Sequence, residues 1–147
     1  MRIKVFISYS GNDEDKVTKL VSQLKKNNLD VWFDQEQLYP GEELKPAIKN
    51  GIYSANIFLA CLSSSYVNNF SGSWTERELK IATQNEEKQN VRKIIPVRFE
   101  KAKGSQLPDI LGKRAFADLS NLAKWNKNIN RLVDAIKKIS LEQEKRN

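Results

Sequence analysis

With 147 residues, 39% hydrophobic and 29% charged, the chain has the size of one ordinary domain and the composition of a soluble protein, and no apolar run approaches a membrane span. Its 25 Lys and Arg exceed 18 Asp and Glu by a formal +7. The basic pairs and triplets (Lys25-Lys26, Arg92-Lys93, Lys101 to Lys103, Lys113-Arg114, Lys137-Lys138) are scattered among acids, which reads as a solvated surface, with neither nucleic acid nor membrane as a partner. Histidine is absent and Cys61 is the single cysteine, which excludes Ser-His and Cys-His mechanisms, an internal disulfide and a cysteine-based metal site, and suits a reducing cytoplasm. No metal is expected.

Ile3, Val5 and Ile7 alternate with Lys4 and Phe6 ahead of the turn residues SYSGND, predicting a strand over residues 2–8. Asn12 is placed to cap the next helix, whose first turn holds Asp13, Glu14 and Asp15 and whose apolar face is Val17, Leu20, Val21 and Leu24. Asn27-Asn28 ends it. LDVWFD (29–34) is a second strand, QEQLYPG (35–41) a loop, and residues 42–52 a helix with Pro46 near its start. ANIFLACLS (55–63) is almost wholly apolar, as a central parallel strand buried on both faces should be, and Cys61 within it is a small core residue. A helix from Ser73 to about Lys88 follows, then a strand KIIPVRF (93–99) whose Pro96 calls for a bulge or edge-like geometry. A loop covers 100–113, RAFADLS (114–120) is a short strand, and 122–139 is a final helix with Leu122, Trp125, Ile129, Leu132, Val133 and Ile136 on one stripe. One domain over residues 1–139 is expected, with 140–147 as a charged, frayed tail.

Strand and helix thus alternate about five times, the pattern of a parallel sheet with helices on both faces, and such sheets bind ligands beyond the carboxyl ends of their strands. Within SWTERELKIA (73–82) one residue breaks the pattern. At about 100° per residue, Trp74 at 0° puts Glu78 near 40°, Ala82 near 80° and Ile81 near −20°, so Glu78 sits inside the apolar arc. Glu76 points away and completes a capping box with Ser73. Glu78 has no such duty, and a carboxylate on an inward face costs free energy unless it is paired, protonated or lining a cleft.

Neither GxGxxG nor GxxxxGK[ST] occurs, which disfavours dinucleotide binding of the usual phosphate-loop kind. The side chains at the expected rim are Tyr9, Ser10, Asp34, Tyr39, Trp74 and Glu78, together with helix N-termini that can hold phosphate. Aromatic rings and a carboxylate suit a sugar joined to a planar base, with the carboxylate bonding hydroxyls and stabilising an oxocarbenium-like centre. A single carboxylate suffices where the leaving group departs neutral, as nicotinamide does from its pyridinium form.

FISYS (6–10), VWFD…LYPGEEL (31–44), SSSY (63–66) and SWTEREL (73–79), in this order over nearly the whole chain, resemble the Toll/interleukin-1 receptor (TIR) domain family. The resemblance implies a flavodoxin-like five-stranded parallel sheet in the order 2-1-3-4-5. It also implies cytoplasmic signalling or defence by homotypic self-assembly and, in the enzymatic branch, cleavage of NAD+ to nicotinamide and linear or cyclic ADP-ribose. NAD+ is then substrate, with no separate cofactor. The family's WxxxE pattern places the catalytic glutamate at Glu78; by position Tyr9, Ser10, Gly11 and Tyr39 would border the substrate, and with Ser8, Asp34 and Trp74 of the same rim they are the expected substrate contacts. Leu38, Tyr39, Pro40 and Gly41 fall in its assembly loop. Ser10-Gly11 stand where some enzymatic members carry arginines, so phosphate must be held by backbone N–H groups or another cation. The alternative reading is a non-catalytic TIR scaffold. A phospho-receiver would need paired acids where strand one here ends in Ser8-Tyr9, and a nucleoside deoxyribosyltransferase would use a glutamate in a similar sheet.

Overall fold

The computed structural model describes residues 2–32, 41, 43–100, 111 and 113–146. Five strands, β1 (Lys4–Ser8), β2 (Asp30–Trp32), β3 (Ile57–Leu62), β4 (Ile94–Arg98) and β5 (Ala117–Asp118), form one sheet in the order β2-β1-β3-β4-β5 with every neighbouring pair parallel. The helices are α1 (Glu14–Lys26), α2 (Leu44–Ser54), α3 (Ser64–Asn68), α4 (Trp74–Gln89) and α5 (Trp125–Arg146). The alternation of elements calls for a parallel sheet with helices on both faces, and the order is the flavodoxin-like one that the family resemblance implies.

Strand parity divides the core in two. Val5, Ile7, Ile57, Leu59, Cys61, Ile95 and Val97 face α1 and α5, whereas Phe6, Phe58, Ala60, Leu62 and Ile94 face α2 and α4. Because successive side chains of a strand point to opposite faces, Ser8 shares the α4 side with Phe6, and Tyr9 falls on the α1/α5 side. The α2 side is packed closely: Phe6 stacks on Phe58 at 5.5 Å and on Trp32 at 6.1 Å, and a Cβ at Gly51 would lie 3.3 Å from the Trp32 ring. Any side chain at position 51 would be tighter than ordinary van der Waals contact and would require the indole or α2 to shift by a few tenths of an ångström.

Several local expectations are corrected. Asn12 does not cap α1; residues 11–13 form a 3-10 turn, and the Asn12 amide donates instead to Ser65 Oγ at 3.2 Å. Asn28, at φ 62°, supplies the left-handed residue after α1, and Asn90, at φ 50°, does the same for α4. The tail is not frayed: α5 runs on to Arg146, because Ile139 and Ser140 remain buried, Gln143 donates to the carbonyls of Asn56 and Arg92 at 2.8 Å each, and Arg146 donates to Asn90 O at 2.5 Å.

Pro96 makes no bulge. It lies in unbroken register opposite Ala60 of β3, while the backbone groups of Ile94 and Arg98, and by alternation the Pro96 nitrogen, face the β5 side. β5 pairs only with Val97 and Arg98, so the missing N–H points where no strand of the described residues stands to receive it. That gap is filled by side chains. Glu86 accepts from the N–H groups of Lys93 and Ile94 at 2.7 and 2.8 Å, and Arg114 donates to Glu86 at 2.5 and 2.8 Å and to Ile94 O at 3.0 Å. Among the described residues no helix is long and apolar enough to cross a membrane.

Candidate active site

The site is built where α4 enters from the carboxyl rim of the sheet. Ser73 caps that helix through its Oγ, which accepts from Glu76 N at 3.2 Å; Glu76 reaches back, though to Gly72 N at 3.4 Å rather than to the cap residue itself. This reciprocal bonding fixes the first turn, and one turn further on Glu78 points inward beside Leu79 and Ala82, both fully buried.

Glu78 is 8% exposed and has no cationic partner among the described residues. Its Oε1 accepts from Ser8 Oγ at 2.9 Å, and Ser8 Oγ lies 3.0 Å from Tyr66 Oη. Burial raises its pKa from the usual 4.5 to about 7, with the Ser8 hydrogen bond acting in the opposite direction. Glu78 lines a hollow of about 250 Å³ between α2 and α4, whose other walls are Lys45, Ile48, Trp74, Arg77, Lys80, Ile81 and Gln84. Trp74 packs partly into the core and partly lines this hollow, with the Arg77 guanidinium 5.4 Å above its ring. Lys80 is paired with Glu76 at 3.8 Å on the surface.

Of the residues expected at the site, the structure brings together Ser8, Trp74 and Glu78. Tyr9 is not beside them: strand parity turns it to the other face, where it packs against the α1/α5 core. Ser10 precedes the 3-10 turn and its carbonyl accepts from Asp13 N at 2.9 Å, and Gly11 is exposed with open space where a Cβ would be. Asp34, Leu38, Tyr39 and Pro40 lie outside the described residues; Gly41 has φ 92°. Tyr66, Lys45 and Arg77 are contributors that reading by rim position passed over. The serine-rich SSSY segment was the sequence signal for Tyr66. Cys61 is fully buried, and burial pushes its thiol far up, which fits a packing role.

The fold is a doubly wound parallel domain in which Glu78 is buried with no cationic partner among the described residues. A model of the TIR domain family matches residues 5–133, and the chain belongs to that family. It is 30% identical over 116 residues to the NAD(+) hydrolase PdTIR of Paracoccus denitrificans, a match covering 76% of this chain and 38% of that one. It is 35% identical over 75 residues to the 2' cyclic ADP-D-ribose synthase BtTIR of Bacteroides thetaiotaomicron, covering 50% of this chain and 25% of that one. The matched part of the chain thus spans well under half the length of these curated relatives. Among solved structures, the TIR domains of the activated Roq1 resistosome superpose with a TM-score of 0.74 at 19% identity, over 91% of this chain and 99% of that one, which bears on the fold alone.

Proposed function

We propose that this chain cleaves the nicotinamide–ribosyl bond of NAD+, with Glu78 as the carboxylate facing the ribose. The observation that carries the reading is the position of Glu78: buried, unpaired by any cation among the described residues, and open to a hollow beside Trp74. Enzymatic activity in the relatives, whose names include NAD(+) hydrolase and 2' cyclic ADP-D-ribose synthase, supports it.

In the proposed reaction the C1'–N bond breaks and its electron pair leaves with nicotinamide, which departs neutral and needs no acid. The ribosyl carbon becomes cationic, and a carboxylate held out of water stabilises that charge far better than one in bulk solvent. Water then adds at C1' to give ADP-ribose, or a hydroxyl of the same substrate adds to give a cyclic product. Either way one proton is lost, and Glu78 can accept it. Lys45 and Arg77 on the hollow's walls offer positive charge for the diphosphate in place of arginines after Tyr9. NAD+ is the substrate and no cofactor enters the scheme. Self-association is proposed to raise activity, as the family resemblance implies.

Nicotinamide release from NAD+ by concentrated protein tests this directly. The active form is ionised, so kcat/KM should rise about tenfold per pH unit from pH 5 towards pH 7 and then level off, following the raised pKa of Glu78. The charged groups sharing its hollow are Lys45 from α2 and Arg77 and Lys80 from α4. Turnover independent of pH between 5 and 9 would remove Glu78 from the role. Self-association without any nicotinamide release would favour the scaffold reading.

A further inference from the structure

The hydroxyls behind Glu78 form a chain with a fixed direction. Ser8 is fully buried at the last position of β1 and has one hydroxyl proton, which it donates to Glu78 Oε1 at 2.9 Å. With that proton committed, Ser8 Oγ can only accept from its other neighbour, Tyr66 Oη, 3.0 Å away. Tyr66 must therefore be the donor. Its ring is 1% exposed, and burial, helped by the nearby Glu78 carboxylate, pushes the phenol far above its usual range despite the bond to Ser8, so it keeps its proton.

Tyr66 is itself anchored. Ser63, fully buried at the end of β3, caps α3 by accepting from Tyr66 N at 3.1 Å, and its hydroxyl donates to the buried carboxylate of Asp13 in the turn after β1. The Phe70 ring packs 5.8 Å from that of Tyr66. Two loops of the carboxyl rim are thereby tied to each other and to the phenol.

We propose that Tyr66 is a positioning residue acting through Ser8: its O–H sets the direction of the Ser8 hydroxyl, which holds one oxygen of Glu78 and leaves the other to the hollow. Its value to catalysis rests on the reading of Glu78 given above, whereas its effect on Glu78 can be measured without substrate. A donor behind Ser8 makes Ser8 a stronger donor to an anionic carboxylate, so removing the phenol hydroxyl destabilises the ionised form of Glu78. The neighbours able to act on this carboxylate are Ser8 from β1, Tyr66 from α3, Lys45 from α2, and Arg77 and Lys80 from α4.

The experiment is a carboxyl 13C NMR titration of Glu78 in the whole chain, free of ligand, for the wild type, Tyr66→Phe, Ser8→Ala and the double variant. Tyr66→Phe should move the midpoint upward by about half a unit or more, roughly a threefold weaker ionisation, and Ser8→Ala by more. The double variant should match Ser8→Ala alone, since the tyrosine acts only through the serine. A Tyr66→Phe midpoint equal to the wild type's, or shifts that add in the double variant, would overturn the proposal. Should Tyr66→Phe fail to fold, the wild type still decides it: a slowly exchanging Tyr66 hydroxyl proton close in space to the Ser8 methylene is expected, and a freely exchanging one contradicts it. Absence of nicotinamide release from the wild type would defeat the proposed function, while these substrate-free measurements would still decide the relay.

Discussion

Glu78→Gln should abolish nicotinamide release and yet leave the domain harder to melt at pH 8. The loss of activity follows from the charge: glutamine keeps the shape and can still accept from Ser8, but it cannot stabilise a cationic ribosyl centre or take up a proton, a deficit of about 10²–10³ or more in kcat. The gain in stability follows from the same burial. The folded protein holds this carboxyl with a pKa of about 7 against a usual 4.5, so it binds the proton more tightly than the unfolded chain does. That preference contributes stability in full below about pH 4.5 and is lost as pH rises through 7, which leaves the wild type at pH 8 some 3 kcal/mol worse off than with a neutral side chain there. Replacing the charge recovers up to that amount, roughly 6–12 °C in Tm for a domain of this size. The advantage should vanish near pH 4.5. Unchanged turnover in Glu78→Gln, or a Tm gain independent of pH, would each contradict the account of Glu78 as a strained working carboxylate.

The second large effect lies at the other end of α4, where the expected sign is opposite. Glu86→Ala should lower Tm by roughly 6–12 °C, corresponding to about 3 kcal/mol, because it leaves Arg114 and the N–H groups of Lys93 and Ile94 without their acceptor in a half-buried or buried setting. Burial pushes the Glu86 carboxyl up, but the Arg114 fork and the two backbone donors outweigh it and hold the pKa below the usual 4.5. A depressed carboxylate contributes stability that is present above pH 4.5 and is lost as pH falls below it. Thermal melts of the wild type and Glu86→Ala at pH 7 and pH 3 should therefore converge towards the lower pH. Equal Tm values at pH 7 would mean that the pair is ornamental.

Two glutamates eight residues apart on one helix thus have opposite electrostatic fates, and the sequence separates them only in part. Glu78 was legible because helical geometry alone puts it among apolar neighbours beside a short rim. The sheet order was legible from the alternation of elements together with the family resemblance. Glu86 was not, because its partner Arg114 is 28 residues away across a strand, and nothing local marks the pair. Tyr9 was misplaced through adjacency: SY reads as a unit in the sequence, yet a strand sends the two side chains to opposite faces, and the parity visible in Ile3, Val5 and Ile7 already assigned Tyr9 to their side. Tyr66 meets Ser8 across 58 residues, a contact that no periodicity encodes. The end of α5 was missed because its last turns are held by polar bonds from Gln143 and Arg146 to loop carbonyls, where an apolar stripe would have announced them.

Among the described residues the two-residue β5 leaves half of β4 without a strand partner along one side, which in most sheets would invite a stray polypeptide to dock and extend the ladder. Here an intruding chain finds its hydrogen-bonding opportunities already withdrawn: proline offers no donor at position 96, Glu86 occupies the N–H of Ile94, and Arg114 occupies its carbonyl. Under the proposed self-association, such a blunted margin would let copies crowd together through chosen surfaces without seeding indiscriminate strand exchange.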